Sequence, residues 1–187
     1  MRLINVRLVT KNDTLIGKTD AKRDFPLLEQ AVSSGPTAET LLWDWSDIRI
    51  ATASYFAGTC IPLFKRTLSG ELDKFFVLSG INENSAEELK LVLDAEGLVM
   101  LVADRVKGTQ IESVRLFGHL DQSYLETFKE ALRKRTVSAA ALYRSSASNK
   151  HSKIGKTAWI NRLSNLSRFR LLRRTKVGRE FVYEVPF

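Results

Sequence analysis

The sequence predicts an α/β (α+β) protein in two parts: residues 1–118 as a sheet with covering helices, and residues 119–187 as a small helical domain closed by a β-hairpin. Three observations carry this. Short apolar runs alternate with helical stretches through the first part, the pattern of a sheet covered on at least one face. Three helix-forming stretches and a paired strand pattern fill the second part. The charge also changes sign between them. The 187-residue chain is +8 overall, yet residues 131–187 hold 14 Lys and Arg against two acidic residues, net +12. The first 130 residues hold 15 basic against 19 acidic residues, net −4.

In order along the chain, Ile4, Val6 and Leu8 alternate with Asn5 and Arg7, so the N-terminus reads as a half-buried strand. A second strand, TLLWDW, follows the Gly35-Pro36 turn and ends near Asp44. ATASYFAGTCIPLFKR has helical spacing through Tyr55, Phe56, Thr59, Cys60 and Phe64. KFFVLSG is a short buried strand. SAEELKLVLDAEG is a helix opened by a capping box, Ser85-x-x-Glu88, and closed by Gly97, with Glu83, Glu87 and Glu88 on a solvated face. LVMLVAD and ESVRLFGHL complete the strands.

A length of 187 residues suits one domain or two small ones, and 44% hydrophobic residues with ten Phe and three Trp exclude a disordered tail. No apolar stretch approaches the roughly 20 residues of a membrane span, and the N-terminus lacks the apolar core of a signal peptide. A single cysteine, Cys60, cannot make an intrachain disulfide, and two histidines, His119 and His151, do not assemble a structural zinc site. Cys60 among Phe56, Ile61 and Phe64 reads as a core residue. His119 reads as a turn residue and His151 as part of a polar loop. The expectation is a cytoplasmic protein without metal or cofactor. It is not expected to be an enzyme, since no nucleophile, base and stabiliser can be named together.

DWSDIRIATASYFAG resembles the STAS-like family, which is related to anti-sigma-factor antagonists. In that family a strand ends at an Asp-aromatic-Ser step, matched here by Asp44, Trp45 and Ser46, and a serine opening the next helix accepts phosphate, matched by Ser54. Thr52 stands where the family has an acidic residue, and Tyr55 where it has a small one. The resemblance implies phosphorylation at Ser54. The bland reading makes Ser54 an N-cap or first-turn residue.

In the second part, Tyr124, Leu125, Phe128, Ala131 and Leu132 form the apolar face of a first helix. TVSAAALYRSSAS is a second helix with Thr136 or Ser138 as N-cap, and NKHSKIGK is a turn. TAWINRLSNLSRF is a third helix. It sets Trp159, Ile160, Leu163 and Leu166 toward the core and leaves Thr157, Asn161, Ser164, Asn165 and Arg168 as a stripe without acid. Such a stripe suits base edges in a major groove, where Asn pairs with adenine and Arg with guanine. LLRRTKVGREFVYEV reads as a hairpin around Val177-Gly178, with Phe181 and Tyr183 on one face and Val182 on the other. Arg173, Arg174, Lys176 and Arg179 are placed to reach phosphates.

This order of elements resembles the winged-helix family of helix-turn-helix DNA-binding domains. TAWINRLxxLxxxxLLRRxxxGRExxYE is similar to the tails found behind STAS-like domains in bacterial proteins. The resemblance implies transcription regulation through duplex DNA. Lys156, Arg162, Arg168, Arg173, Arg174, Lys176 and Arg179 would supply salt-sensitive affinity, and Thr157, Asn161 and Asn165 base choice. The STAS-like part would sense a protein partner or support a homodimer. Two alternatives stay open: a protein-interaction switch built on the STAS-like domain, and a DNA-binding subunit of a larger nucleoprotein complex.

Overall fold

Arg2–Asn5 form β1, and the chain turns at once into a short helix, α1 (Val6–Thr10). The alternation through Leu8 therefore does not extend the strand. The reason is local: Asn5 Oδ1 accepts the Leu8 amide at 3.0 Å, an N-cap that starts a helix, and Leu8 ends up 67% exposed. After β2 (Thr14–Leu15) and α2 (Gly17–Ser33), β3 (Glu39–Asp44) lies parallel to β1, with Ile4 opposite Trp43. The computed structural model describes residues 1–147 and 154–187, and it divides into two compact units, Met1–His119 and Leu120–Pro186.

The first unit continues with β4 (Ile50–Ala51), α3 (Ala53–Gly58), α4 (Cys60–Leu68), β5 (Lys74–Ser79), α5 (Glu83–Glu96), β6 (Met100–Lys107) and β7 (Gln110–Phe117). Its main sheet has the order β1-β3-β5-β6-β7, parallel except for the antiparallel edge strand β7, and β2 pairs with β4 separately. The class is therefore mixed α/β. Register sets Leu41 and Trp43 beside Phe76 and Leu78 on one face. These side chains enter a core with Leu28 of α2, Phe56 of α3, Leu63 of α4 and Leu89 of α5. The Trp43 and Phe76 rings stack with centroids 4.9 Å apart, and Trp45 lies 5.1 Å from Phe56. Aromatic pairs of this kind add about 1 kcal/mol each beyond the area they bury. All six residues of β5 are buried, which explains why KFFVLS shows no alternation.

Two expectations about the helices are corrected. ATASYFAGTCIPLFKR is not one helix, because the chain breaks at Thr59, whose φ and ψ of −129° and −78° are not helical. Pro62 accounts for the break. It has no N–H to give Gly58 and its ring would crowd that carbonyl. The capping box at Ser85 is also not formed. Asn82 caps α5 by accepting the Ser85 amide at 2.9 Å. Ser85 Oγ instead accepts the Ala51 amide, and Glu88 accepts the Ala53 amide at the start of α3. Glu88 thus leaves the acidic face on which Glu83 and Glu87 remain exposed. Gly97 closes α5 with a left-handed φ of 61°, as expected.

The second unit comprises α6 (Gln122–Lys134), β8 (Thr136–Ser138), α7 (Ala139–Ala147), α8 (Lys156–Arg168), β9 (Arg173–Val177) and β10 (Glu180–Glu184). Its three strands form an antiparallel sheet in the order β8-β10-β9. Strand β8 was not expected. Thr136 is its first residue and not a helix cap, and Ser138 caps α7 by accepting the Ala141 amide. Val137 pairs with Tyr183, and both are buried, so the strand is fixed by packing that three residues of sequence do not advertise. The hairpin turns through Gly178-Arg179 alone. Gly178, at a φ of 61°, takes the first central position, as a type II′ turn requires. Phe128, Ala131, Leu142, Trp159, Leu163 and Leu166 are buried in this unit, and α8 packs on α6 and α7.

Candidate nucleic-acid interface

Helix α8 organises the candidate site. Trp159, Leu163 and Leu166 recur at helical spacing and are buried, which turns the opposite side outward. Thr157, Asn161 and Arg168 are exposed on that side, Lys156 is exposed at the first residue of the helix, and no acidic residue occurs anywhere in the helix. Ile160 was expected in the core and is not there. It is 45% exposed, because it lies at the edge of the stripe of Trp159, Leu163 and Leu166 and borders a cleft beside the hairpin.

The remaining polar residues of α8 divide by their partners. Asn165 is half-buried, and its Nδ2 donates to Tyr124 Oη at 2.8 Å, so it ties α8 to α6 and drops out of the outward stripe. Ser164 is half-buried as well. The Arg162 guanidinium lies 5.6 Å from the Trp159 ring centroid, a cation–π contact on the flank of the helix.

The hairpin supplies a second row of cations. Arg174, Lys176 and Arg179 are exposed, while Arg173 is half-buried and pairs with Glu184 at 3.5 Å. The Arg174 guanidinium lies 3.5 Å from the centroid of the Phe181 ring. Arg174 faces Tyr183 across the strands, which places it diagonal to Phe181 on the same face, so a flat cation covers an aromatic surface that stays 41% exposed. Between the hairpin, α8 and the start of α7 is a cleft of about 180 Å³, lined by Ala139, Ala140, Ile160, Phe181 and Tyr183 together with the polar Ser138, Lys156, Arg179 and Glu180. Sequence reasoning found the cations of this site and missed its apolar wall. An isoleucine at the edge of the apolar stripe, one residue before Asn161, was the available signal.

The first unit holds the other sequence-predicted residues. Ser54 is the second residue of α3, half-buried, with its Oγ 3.2 Å from Thr52 Oγ1. It is therefore a first-turn residue. It lines a surface cavity of about 440 Å³ together with Lys18 and Lys22 of α2. Asp44 Oδ1 accepts the Ser46 amide at 3.1 Å, and Asn5 Nδ2 donates to both Asp44 and Asp47, so this step is an internally bonded loop. Cys60 is buried, and burial pushes its thiol far up. His119 is exposed after the last sheet strand, and His151 lies outside the described residues. Among the described residues, no group of three or more His, Cys, Asp and Glu side chains could hold a metal ion. Among them, too, no helix is long and apolar enough to cross a membrane. Comparison with family models and with curated proteins gives no match for this chain.

Proposed function

We propose that the chain is a DNA-binding regulatory protein. Helix α8 docks in the major groove, and the β9–β10 hairpin sits beside it as the wing of a winged helix-turn-helix domain. The observation that carries this reading is the outward face of α8. It presents Thr157, Asn161 and Arg168 without one acid, with Lys156 at the start of the helix, and lies next to a hairpin carrying Arg174, Lys176 and Arg179. Asn offers a bidentate match to adenine N6 and N7, and the cations match backbone phosphates. Asn165, held by Tyr124, supports the helix and does not read bases in this proposal. The first unit, read as STAS-like, would receive a protein partner or a second copy, and the single buried cysteine suits the cytoplasm.

The test is anisotropy of a labelled random duplex titrated with the full chain at several salt concentrations. Binding is expected to weaken steeply with salt. Replacing Lys156, Arg168, Lys176 and Arg179 together by alanine is expected to flatten the log–log salt slope by about 0.9 for each phosphate left without its cation. Absence of duplex binding at low salt would overturn the reading and favour a protein-interaction role for the basic unit.

A further inference from the structure

The cleft between α8 and the hairpin contains an arrangement that phosphate contacts and Asn161 do not use. Ile160 stands 45% exposed on the flank of α8, between its buried stripe and its outward face, one residue before Asn161 and three after Thr157. Phe181, also partly exposed, faces the same cleft from the hairpin and is held under the Arg174 guanidinium. Ala139 and Ala140 close the apolar wall. A β-branched apolar side chain on an exposed helical face gains nothing from water. Isoleucine is also a poorer helix former there than Lys, Arg or Glu.

On a major groove the balance reverses. Base edges there are donors and acceptors with one apolar exception, the C5-methyl group of thymine. Resting on the DNA-binding reading above, we infer that Ile160 and Phe181 form a thymine-reading notch, with Ile160 against the C5-methyl while Asn161 pairs with a neighbouring adenine. The recognised site would then contain adenine and thymine side by side. The specificity at that thymine would come from apolar burial and not from a hydrogen bond.

The experiment begins with selection of tight-binding sequences from a randomised duplex pool by the full chain. The selected duplexes are then resynthesised with deoxyuridine in place of each thymidine in turn. Uracil pairs as thymine does and lacks only the methyl. At one position the wild-type chain is expected to bind the uracil duplex about fourfold more weakly, the fold-change that corresponds to about 0.8 kcal/mol for one buried methylene-sized group. Ile160→Ala is expected to bind the thymine duplex more weakly than the wild type does and to treat thymine and uracil alike. The side chain is on the surface, and an unchanged melting temperature of the variant would confirm that the loss is one of recognition. Equal wild-type affinity for thymine and uracil at every position, selected sites without thymine, or a discrimination that survives Ile160→Ala would each overturn the notch while duplex binding itself still stood. Failure to select any duplex would overturn the DNA-binding reading instead.

Discussion

Asn161 and Asn165 are the same residue type four positions apart, and their surroundings give them different work. Asn161→Ala is expected to flatten preference among DNA sequences while leaving random-duplex affinity nearly unchanged, read by paired titrations on selected and random duplexes. Asn165→Ala removes the bond to Tyr124 and is expected to cost about 1 kcal/mol of stability. Tyr124→Phe should lose a similar amount, since either change breaks the same pair; urea denaturation of both variants checks this. Sequence alone placed both asparagines on one polar stripe, since a helical wheel shows direction and not whether another helix supplies a partner. The same blindness put Ile160 in the core. A half-buried charged residue in the first unit makes a second case: Glu39 lies between Arg2 and Lys74, with Arg2 Nε at 3.1 Å and Lys74 Nζ at 3.4 Å. Burial by itself raises its pKa, yet the two cations outweigh burial and hold the carboxyl below its ordinary value of 4.5. The folded state therefore binds this proton less readily than the unfolded chain does. The stabilisation is complete above the ordinary pKa and is lost as the pH falls through the lowered one. Glu39→Gln is expected to lower stability at neutral pH and to remove that share of the acid dependence, measurable as denaturation midpoints across the acid range.

At the scale of elements, what decided the outcome was who satisfies each exposed amide. The hairpin was legible because Gly178 is the residue a two-residue turn demands and strand-forming residues flank it. The first strand was overextended because Asn5 can end a strand and cap a helix with the same side chain, and the alternation of Ile4, Val6 and Leu8 fits both outcomes. Ser85 and Glu88 have the spacing of a capping box, but the structure uses both on the 51–53 segment, 34 and 35 residues away in sequence. No local pattern encodes that pairing. It does make a prediction: Glu88→Ala leaves the Ala53 amide without its acceptor and is expected to cost about 0.5–2 kcal/mol, in the range of a missing helix cap. The loss should appear as a lower melting temperature with duplex binding unchanged, since α3 and α8 belong to different units.

Across the whole molecule, the separation of charge was visible by counting, because net charge does not depend on how the chain folds. The alternation of strand and helix likewise gave the α/β class, since parallel pairing needs crossovers and crossovers need helices. The third strand of the small sheet stayed hidden because three residues carry too little periodicity. The burial of Cys60 has an experimental consequence at this scale. Its thiol sits in the core of the first unit, and it is the one cysteine of the chain. A thiol reagent can reach it only when that unit opens, so labelling of the native protein is expected to proceed at the opening rate and to become immediate in denaturant. Instant labelling under native conditions would contradict the packing described. The chain thus carries its own clock for the first unit, readable by mass spectrometry while the second unit is occupied by whatever it binds, with no engineered probe required.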